Sequence, residues 1–495
     1  MLELSAPRAG RREWVALSVL ALPLLLVSMD VSILYFAAPE ISKDLDASPT
    51  QQLWIFDVYG FVLASLLITM GGVADRIGPR RLLLIGAVAF SATSLAAAYA
   101  ESAAQLIAAR ALLGVAGATL MPATLSTIRT LFLDERQRGK AIGVWTGVIT
   151  AGVGLGPVLS GILLAHFWWG SVFLVNIPAM LLLLAVGPVL LPRGTTRPGE
   201  GLDLVSAALS LVAVLATVYG IKAWALHGTD IRWILCIGVG LGLAVAFVRR
   251  QLRHPRPMID PALLRNRAYR TALAGNTVCS FALIGNAVFM TGYLQLVLGY
   301  SPLDAALWSL VPTVGVACAA PFAAALGQRF GRIRVAAAGL VGGAAGFIVL
   351  LAVGTDSLLL TLVGAGVLAA GLVTALSLFG ELVLGALDPM QAGAGSALSE
   401  AASELGGALG IAILGTIGAA GYKASIALPP PYAGGPASES LSGAAGVAAH
   451  LPAAASETVI EAARVAYVHG LHLAALVGTC VLLASATALL RRPTF

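Results

Sequence analysis

Stretches of about 20 apolar residues recur from one end of this chain to the other, and each is long enough to cross a lipid bilayer. Fourteen such segments can be drawn, at residues 14–36, 53–72, 82–99, 105–127, 140–165, 171–191, 203–223, 231–248, 269–293, 303–325, 335–353, 358–384, 393–419 and 468–490. In hydrocarbon the backbone polar groups must be satisfied within each segment or by closing a barrel. The short alternating strands of a barrel are absent, so the segments read as helices. The expected fold class is an all-α polytopic membrane protein with 14 transmembrane helices. The chain is only 11% charged, less than half of the roughly 25% usual in soluble proteins, which leaves no room for a large soluble domain. The first apolar run, Trp14 to Phe36, lacks a small-residue cleavage site and reads as a retained helix.

Lys and Arg placement sets the expected orientation. With the N-terminus in the cytoplasm, 24 of the 30 basic residues fall inside, five fall outside (Lys43, Lys222, Arg232, Lys423, Arg464), and Arg110 lies within a span. Both termini are therefore expected in the cytoplasm. The same bias explains a pI near 9.3 through basic loops facing anionic lipid, with no nucleic acid partner. Cys236, Cys279, Cys318 and Cys480 stand singly in apolar runs and suit neither disulfides nor a metal site. His469 and His472 read as interfacial. Residues 421–466, rich in Pro, Gly, Ala and Ser, read as a flexible external connection.

An internal repeat is visible. Ala74-Asp75-Arg76-Ile77-Gly78-Pro79-Arg80-Arg81 follows the second segment, and Gly327-Gln328-Arg329-Phe330-Gly331-Arg332-Ile333-Arg334 follows the tenth. Two six-helix halves with an extra central pair account for fourteen, a plan that puts a substrate site between the halves. The expected domains are an N-terminal bundle (1–198), the extra pair (199–250), a basic cytoplasmic linker (251–267) and a C-terminal bundle (268–495) that carries the external loop 421–466.

Three motifs resemble those of the major facilitator superfamily, in its fourteen-helix drug:proton antiporter branch. Gly71 to Arg81 is similar to the signature loop between helices two and three, with Pro79 where a basic residue is usual. Arg110-Ala111-Leu112-Leu113-Gly114 is similar to the helix-four motif, with Leu113 in place of Gln. Gly152-Val153-Gly154-Leu155-Gly156-Pro157-Val158-Leu159-Ser160-Gly161 is similar to the motif that marks antiporters, with Ser160 in place of Gly. Leu53 to Tyr59, Trp169 to Pro178 and Ser399 to Gly410 resemble the QacA, SmvA and LfrA group of multidrug exporters. The resemblance covers nearly the whole chain. It implies the major facilitator fold and a bacterial inner-membrane antiporter that exports lipophilic cationic drugs (quaternary ammonium compounds, dyes, fluoroquinolones) against protons. A dedicated exporter of one natural product is the alternative. A monomer without cofactors, and no enzyme, is expected: phosphate-loop, zinc-protease and serine-hydrolase signatures are all missing.

Physical reasoning assigns roles within that frame. Asp75, Arg76, Gly78 and Arg80 form a cytoplasmic turn suited to a conformational latch. Gly152, Gly156 and Pro157 allow close helix approach and bend the fifth helix. A charge at mid-bilayer costs about 2.5–3.5 kcal/mol, so each one is a functional-site candidate. These are Asp30, Asp57, Arg110, Glu381, Glu400 and Glu404. Asp30 and Arg110, at similar depth, are expected to pair, with Asp57 beside them. Glu400 and Glu404 stack on one helical face and repel, which suits a shared proton or a bound cation. Proton coupling is assigned to Asp30, Asp57, Arg110, Glu400 and Glu404. Substrate binding is assigned to Glu400, Glu404, Glu381, Trp54, Tyr35, Trp145, Phe289 and Phe379, whose ring faces attract quaternary ammonium groups.

Overall fold

Ser48 and Ser301 each stand before a proline, and each starts a 29-residue helix. Both serine hydroxyls accept from the backbone N–H three residues on, at Gln51 and Asp304, and Pro49 and Pro302 occupy the first turn, where no N–H is needed. Both helices end on a glycine of positive φ, Gly78 at +92° and Gly331 at +91°. A side chain is strained there, so glycine sets the sharp turn into the next helix. The repeat seen in sequence is thus a repeat of cap, length and turn.

The computed structural model describes residues 9–192, 203–227, 230–254, 263, 265–386, 392–429, 432 and 435–491. Its helices are α1 (Arg11–Asp44), α2 (Pro49–Ile77), α3 (Pro79–Ala98), α4 (Ala103–Leu131), α5 (Glu135–His166), α6 (Ser171–Leu174), α7 (Asn176–Leu190), α8 (Leu204–His227) and α9 (Ile231–Arg253). They continue as α10 (Arg267–Gly292), a π turn at Tyr293–Val297, α11 (Pro302–Phe330), α12 (Arg332–Leu350), α13 (Leu358–Gly385), α14 (Ala392–Ser425), α15 (Pro436–Glu439), α16 (Leu441–Ala448) and α17 (Ala453–Leu490). No strand occurs among the described residues. All fourteen apolar segments lie on helices. Eleven of these, or twelve with the bent α5, are long and apolar enough to span a membrane among the described residues; α2 and α11 are the two beyond that number. The linker at 251–267 falls largely outside the described residues.

Within the first half, α1 packs on α5, α2 on α4 and α3 on α4; in the second, α10 packs on α14, α12 on α13 and α17 on α12. The halves meet through α2 against α14 and α5 against α11. A Cβ on Gly415 would sit 2.8 Å from Leu53, one on Gly60 3.3 Å from Ala408, and one on Gly161 2.7 Å from Leu303. Gln295 donates to the Phe36 carbonyl at 3.3 Å. All these contacts lie in the middle or toward the end of the bundle where α2 begins. At the other end, Gly143 and Gly147 of α5 and Gly380 and Gly385 of α13 meet nothing within 4 Å.

The segment 421–466 differs from expectation. Ala437, Leu441, Ala444 and Ala448 recur at helical spacing and are buried. Tyr422 donates to the Ala437 carbonyl at 2.8 Å. That apolar stripe docks α15 and α16 onto the bundle, so the segment is not a loose connection. The last helix also starts at Ala453 rather than near 468.

Candidate functional site

Arg110 lies two turns into α4, fully buried. Its Nη1 donates to Asp30 Oδ2 on α1, and its Nε donates to the Ile55 carbonyl on α2 at 3.1 Å. The guanidinium also sits 4.5 Å from the Tyr59 ring centroid, and Tyr59 donates in turn to the Val27 carbonyl at 3.3 Å. One cation therefore binds three helices together, and the expected Asp30–Arg110 pair is present.

Asp57 has a different partner. Lys222 Nζ of α8 lies 2.5 Å from Asp57 Oδ2, both side chains fully buried. The ammonium sits 4.5 Å from the Trp54 ring centroid. Trp54 packs at a tilt on Tyr219, and Tyr219 meets Trp233 of α9 edge to face, at centroid distances of 6.2 and 5.9 Å. Lys222 thus corrects the topology reading: it lies inside the helical bundle, not in an external loop, because α8 continues to His227. Asp57 correspondingly belongs with Lys222 rather than with Arg110.

Glu400 and Glu404 stand one turn apart on α14, and no ion pair reaches either among the described residues. Glu404 lies within the electrostatic field felt by Tyr35 and Tyr59, as do Arg110 and one aspartate each, Asp57 for Tyr35 and Asp30 for Tyr59. The acids of both halves are therefore gathered around two tyrosines. The glycines after Glu404 leave no ligand space: a Cβ on Gly406, Gly407 or Gly410 would strike Thr277, Ile284 or Phe281, so they let α10 close on α14. Asn276 of α10 donates to Ser399 at 2.9 Å beside the pair.

The aromatic candidates divide. Tyr35 lies 5.4 Å from Phe56, centroid to centroid, and both line a cavity of about 120 Å³ with Phe289, Tyr467, Leu53 and Tyr422, partly roofed by Glu439 and Leu441. Trp54 lies under Lys222. Trp145 donates to Thr124 at 3.1 Å in the α4–α5 contact. Phe379 is buried against Gly275 within the second half. Glu381 pairs with Arg332 at 3.1 Å, half exposed near the loop joining α11 and α12, and is not gathered with the other acids.

In the latch loop, Arg80 donates to the Leu191 carbonyl at 3.3 Å, Arg76 is exposed, and the Asp75 side chain lies outside the described residues. Helix α5 bends by 42° between Ile149 and Gly154. That lies one turn before Pro157, where its ring displaces the carbonyl four residues back. Gly152 and Gly156 receive Ser28 and Ser32 of α1, and Ser160 donates to the Ile33 carbonyl at 2.8 Å. Sequence reasoning missed Lys222, Tyr59 and Asn276. Lys222 carried only the signal of a lone cation at the end of an apolar segment, which does not tell a buried residue from a loop residue.

Comparison with known proteins agrees with this architecture. Residues 20–250 match the family described as Major Facilitator Superfamily, and residues 257–442 match MFS/sugar transport protein. The chain is 41% identical to the multidrug efflux pump LfrA of Mycolicibacterium smegmatis, over 97% of this chain and 96% of that one. It is 35% identical to the methyl viologen resistance protein SmvA of Salmonella typhimurium, over 92% and 93%. It is 31% identical to the tetracenomycin C resistance and export protein of Streptomyces glaucescens, over 82% and 76%. Among solved structures, a bacterial homologue of the lysosomal transporter Spinster shares the fold with a TM-score of 0.65 at 17% identity, covering 98% of this chain and 99% of that one.

Proposed function

The chain belongs to the major facilitator superfamily, with drug-efflux relatives along nearly its whole length, and from that premise we propose that it is a proton-coupled antiporter of lipophilic cations. One observation carries the reading. Four carboxylates (Asp30, Asp57, Glu400, Glu404) come from both halves, and among the described residues two buried cations pair with them, Arg110 with Asp30 and Lys222 with Asp57. Glu400 and Glu404 are left with no ion-pair partner among the described residues. A carboxylate on a membrane-spanning helix with no counter-charge is costly, so each is expected to hold a proton or face a mobile cation. A drug cation and a proton then exclude one another at the same oxygens, which couples their movements.

Alternating access supplies the path. With both termini in the cytoplasm, the closed end of the bundle faces outward and the open end admits drug from the cytoplasm. Tyr35, with Phe56 and Phe289 in the cavity it lines, offers ring faces to a quaternary ammonium group. Exchange of one monovalent cation for one proton moves no net charge, so the pH gradient contributes about 1.4 kcal/mol per unit. A dication would need a second proton, or would meet about 2.3 kcal/mol per 100 mV for each uncompensated charge. Two glutamates permit either stoichiometry.

The test is ethidium efflux in energised inverted vesicles, comparing wild type with Asp30→Asn and Glu404→Gln. Both variants should lose gradient-driven transport. Normal extrusion by both without proton exchange sinks the reading, as does a wild-type rate that survives collapse of the gradient. A panel of unrelated cations separates a broad exporter from a dedicated one.

A further inference from the structure

Lys222 belongs to neither half of the transporter. Its helix, α8, packs on α2 of the first half and α14 of the second. Val218, one turn before Lys222, is buried with Phe61 of α2 and with Ala408 and Ala412 of α14. The extra pair therefore lies along the α2–α14 seam, and its single buried cation meets an acid of the transport cluster. An anchoring role alone would not call for a charge. Burying two ions costs more than burying two apolar side chains of the same shape, so a passive spacer would be built from leucines.

We propose that Lys222 is a tethered counter-ion that couples Asp57 to the transport cycle, pairing with it while the seam is closed and releasing it when Asp57 takes a proton. The proton arrives on the Asp57 carboxylate, and the ammonium keeps its own. Release does not strand it: the ammonium already lies over the Trp54 ring, and Lys222 stands five residues before the end of α8, so its long stem can carry the charge toward the interface. Release frees α8 from α2 and lets the seam part. The elements packed against α2 and α8 carry Tyr35 and Asp30 on α1, Arg110 on α4, Arg232 on α9, and Glu400 and Glu404 on α14; of these Tyr35 lies within electrostatic reach of Asp57, and Tyr219 of α8 packs on the Trp54 ring under Lys222. Arg110 is engaged by Asp30 and Arg232 by Asp230, so neither supplies Asp57 with a cation. Lys222 is a positioning residue: it acts through Asp57.

The inference rests on the antiport reading, and the experiment separates the two. Full-length protein in proteoliposomes is assayed with ethidium in two modes. One is ethidium–ethidium exchange at equal pH, and the other is uphill transport driven by a pH gradient with a proton-sensing dye. Lys222→Met leaves Asp57 without its counter-ion, so that it stays protonated and drops out of the cycle. Exchange should continue near the wild-type rate while driven transport falls about tenfold. Lys222→Arg should restore driven transport. The double variant Asp57→Asn/Lys222→Met carries no orphaned charge, which keeps the test open should Lys222→Met fold poorly, and it should exchange without being driven. Driven transport at the wild-type rate in Lys222→Met or in the double variant overturns the inference, as does a parallel loss of both modes, which marks a structural anchor. If wild type itself moves no protons with ethidium, the antiport reading falls and this inference falls with it.

Discussion

Arg110 is held from three directions, and each restricts what could replace it. Asp30 takes Nη1, the Ile55 carbonyl takes Nε, and the Tyr59 ring takes the guanidinium face. A lysine brings a point charge without the planar fork, so it can meet Asp30 or the carbonyl but not both. Arg110→Lys should assemble yet transport poorly. Arg110→Ala leaves Asp30 buried and unpaired, which costs about 3–5 kcal/mol. The expected readout is a lower unfolding temperature in detergent, largely recovered when Asp30→Asn is added, because that double variant leaves no orphaned charge. An absence of recovery would show that Asp30 is not what Arg110 compensates. This pair was legible in the sequence, since a single charge deep in an apolar run has few reasons to be there. Lys222 was not. It stands at the end of its apolar segment, where hydropathy cannot tell a buried residue from a loop residue, and only the helix's continuation to His227 decides it.

Helices α8 and α9 are fastened where Asp203 precedes α8. Arg250 of α9 donates to it at 2.9 Å, the Ser206 hydroxyl and backbone N–H donate to it, and Gln251 reaches Ser206 at 2.8 Å. Desolvation works to raise the Asp203 pKa, but the hydrogen bonds from Arg250 and Ser206 outweigh it and bring it from 3.8 down to about 2. A lowered carboxylate pKa stabilises the folded state above the unfolded value and loses that contribution as pH falls through the folded one. The clasp should therefore be complete at neutral pH and weaken only below about pH 4. Asp203→Asn should loosen α9 by about 1–2 kcal/mol at pH 7, read as faster amide exchange in α9, and the gap from wild type should narrow in acid. A gap independent of pH down to 3 would mean the charge is not the cause. At this scale the Ser-Pro starts and glycine ends of α2 and α11 could be read directly, because caps and positive φ demand particular residues. Helices α15 and α16 could not. Their Ala, Gly, Pro and Ser composition is that of a linker, and the docked face of Ala437, Leu441, Ala444 and Ala448 is too weakly apolar to announce itself without the surface that receives it.

Across the whole molecule, the repeat and the seam combine into a single mechanical expectation. Helices α2 and α11 are built alike, and each is the element its half presents to the other, against α14 and α5 respectively. A rocking motion that opens the closed end must therefore part Leu53 from Gly415 and Leu303 from Gly161 together. Cysteines at positions 53 and 415, joined by a short bis-methanethiosulfonate that forms a disulfide with each thiol, should hold that end shut and stop ethidium efflux, with activity returning on reduction. The chain has four native cysteines, Cys236, Cys279, Cys318 and Cys480, so the same treatment of the unaltered protein is the control. Under the proposed inward-open reading ethidium should still bind to the cross-linked protein, since a Cβ on Gly143, Gly147, Gly380 or Gly385 at the opposite end meets nothing within 4 Å. Efflux that continues through the cross-link would mean the α2–α14 contact need not open, and the cation would then have to leave by a route other than the seam that α8 lies along.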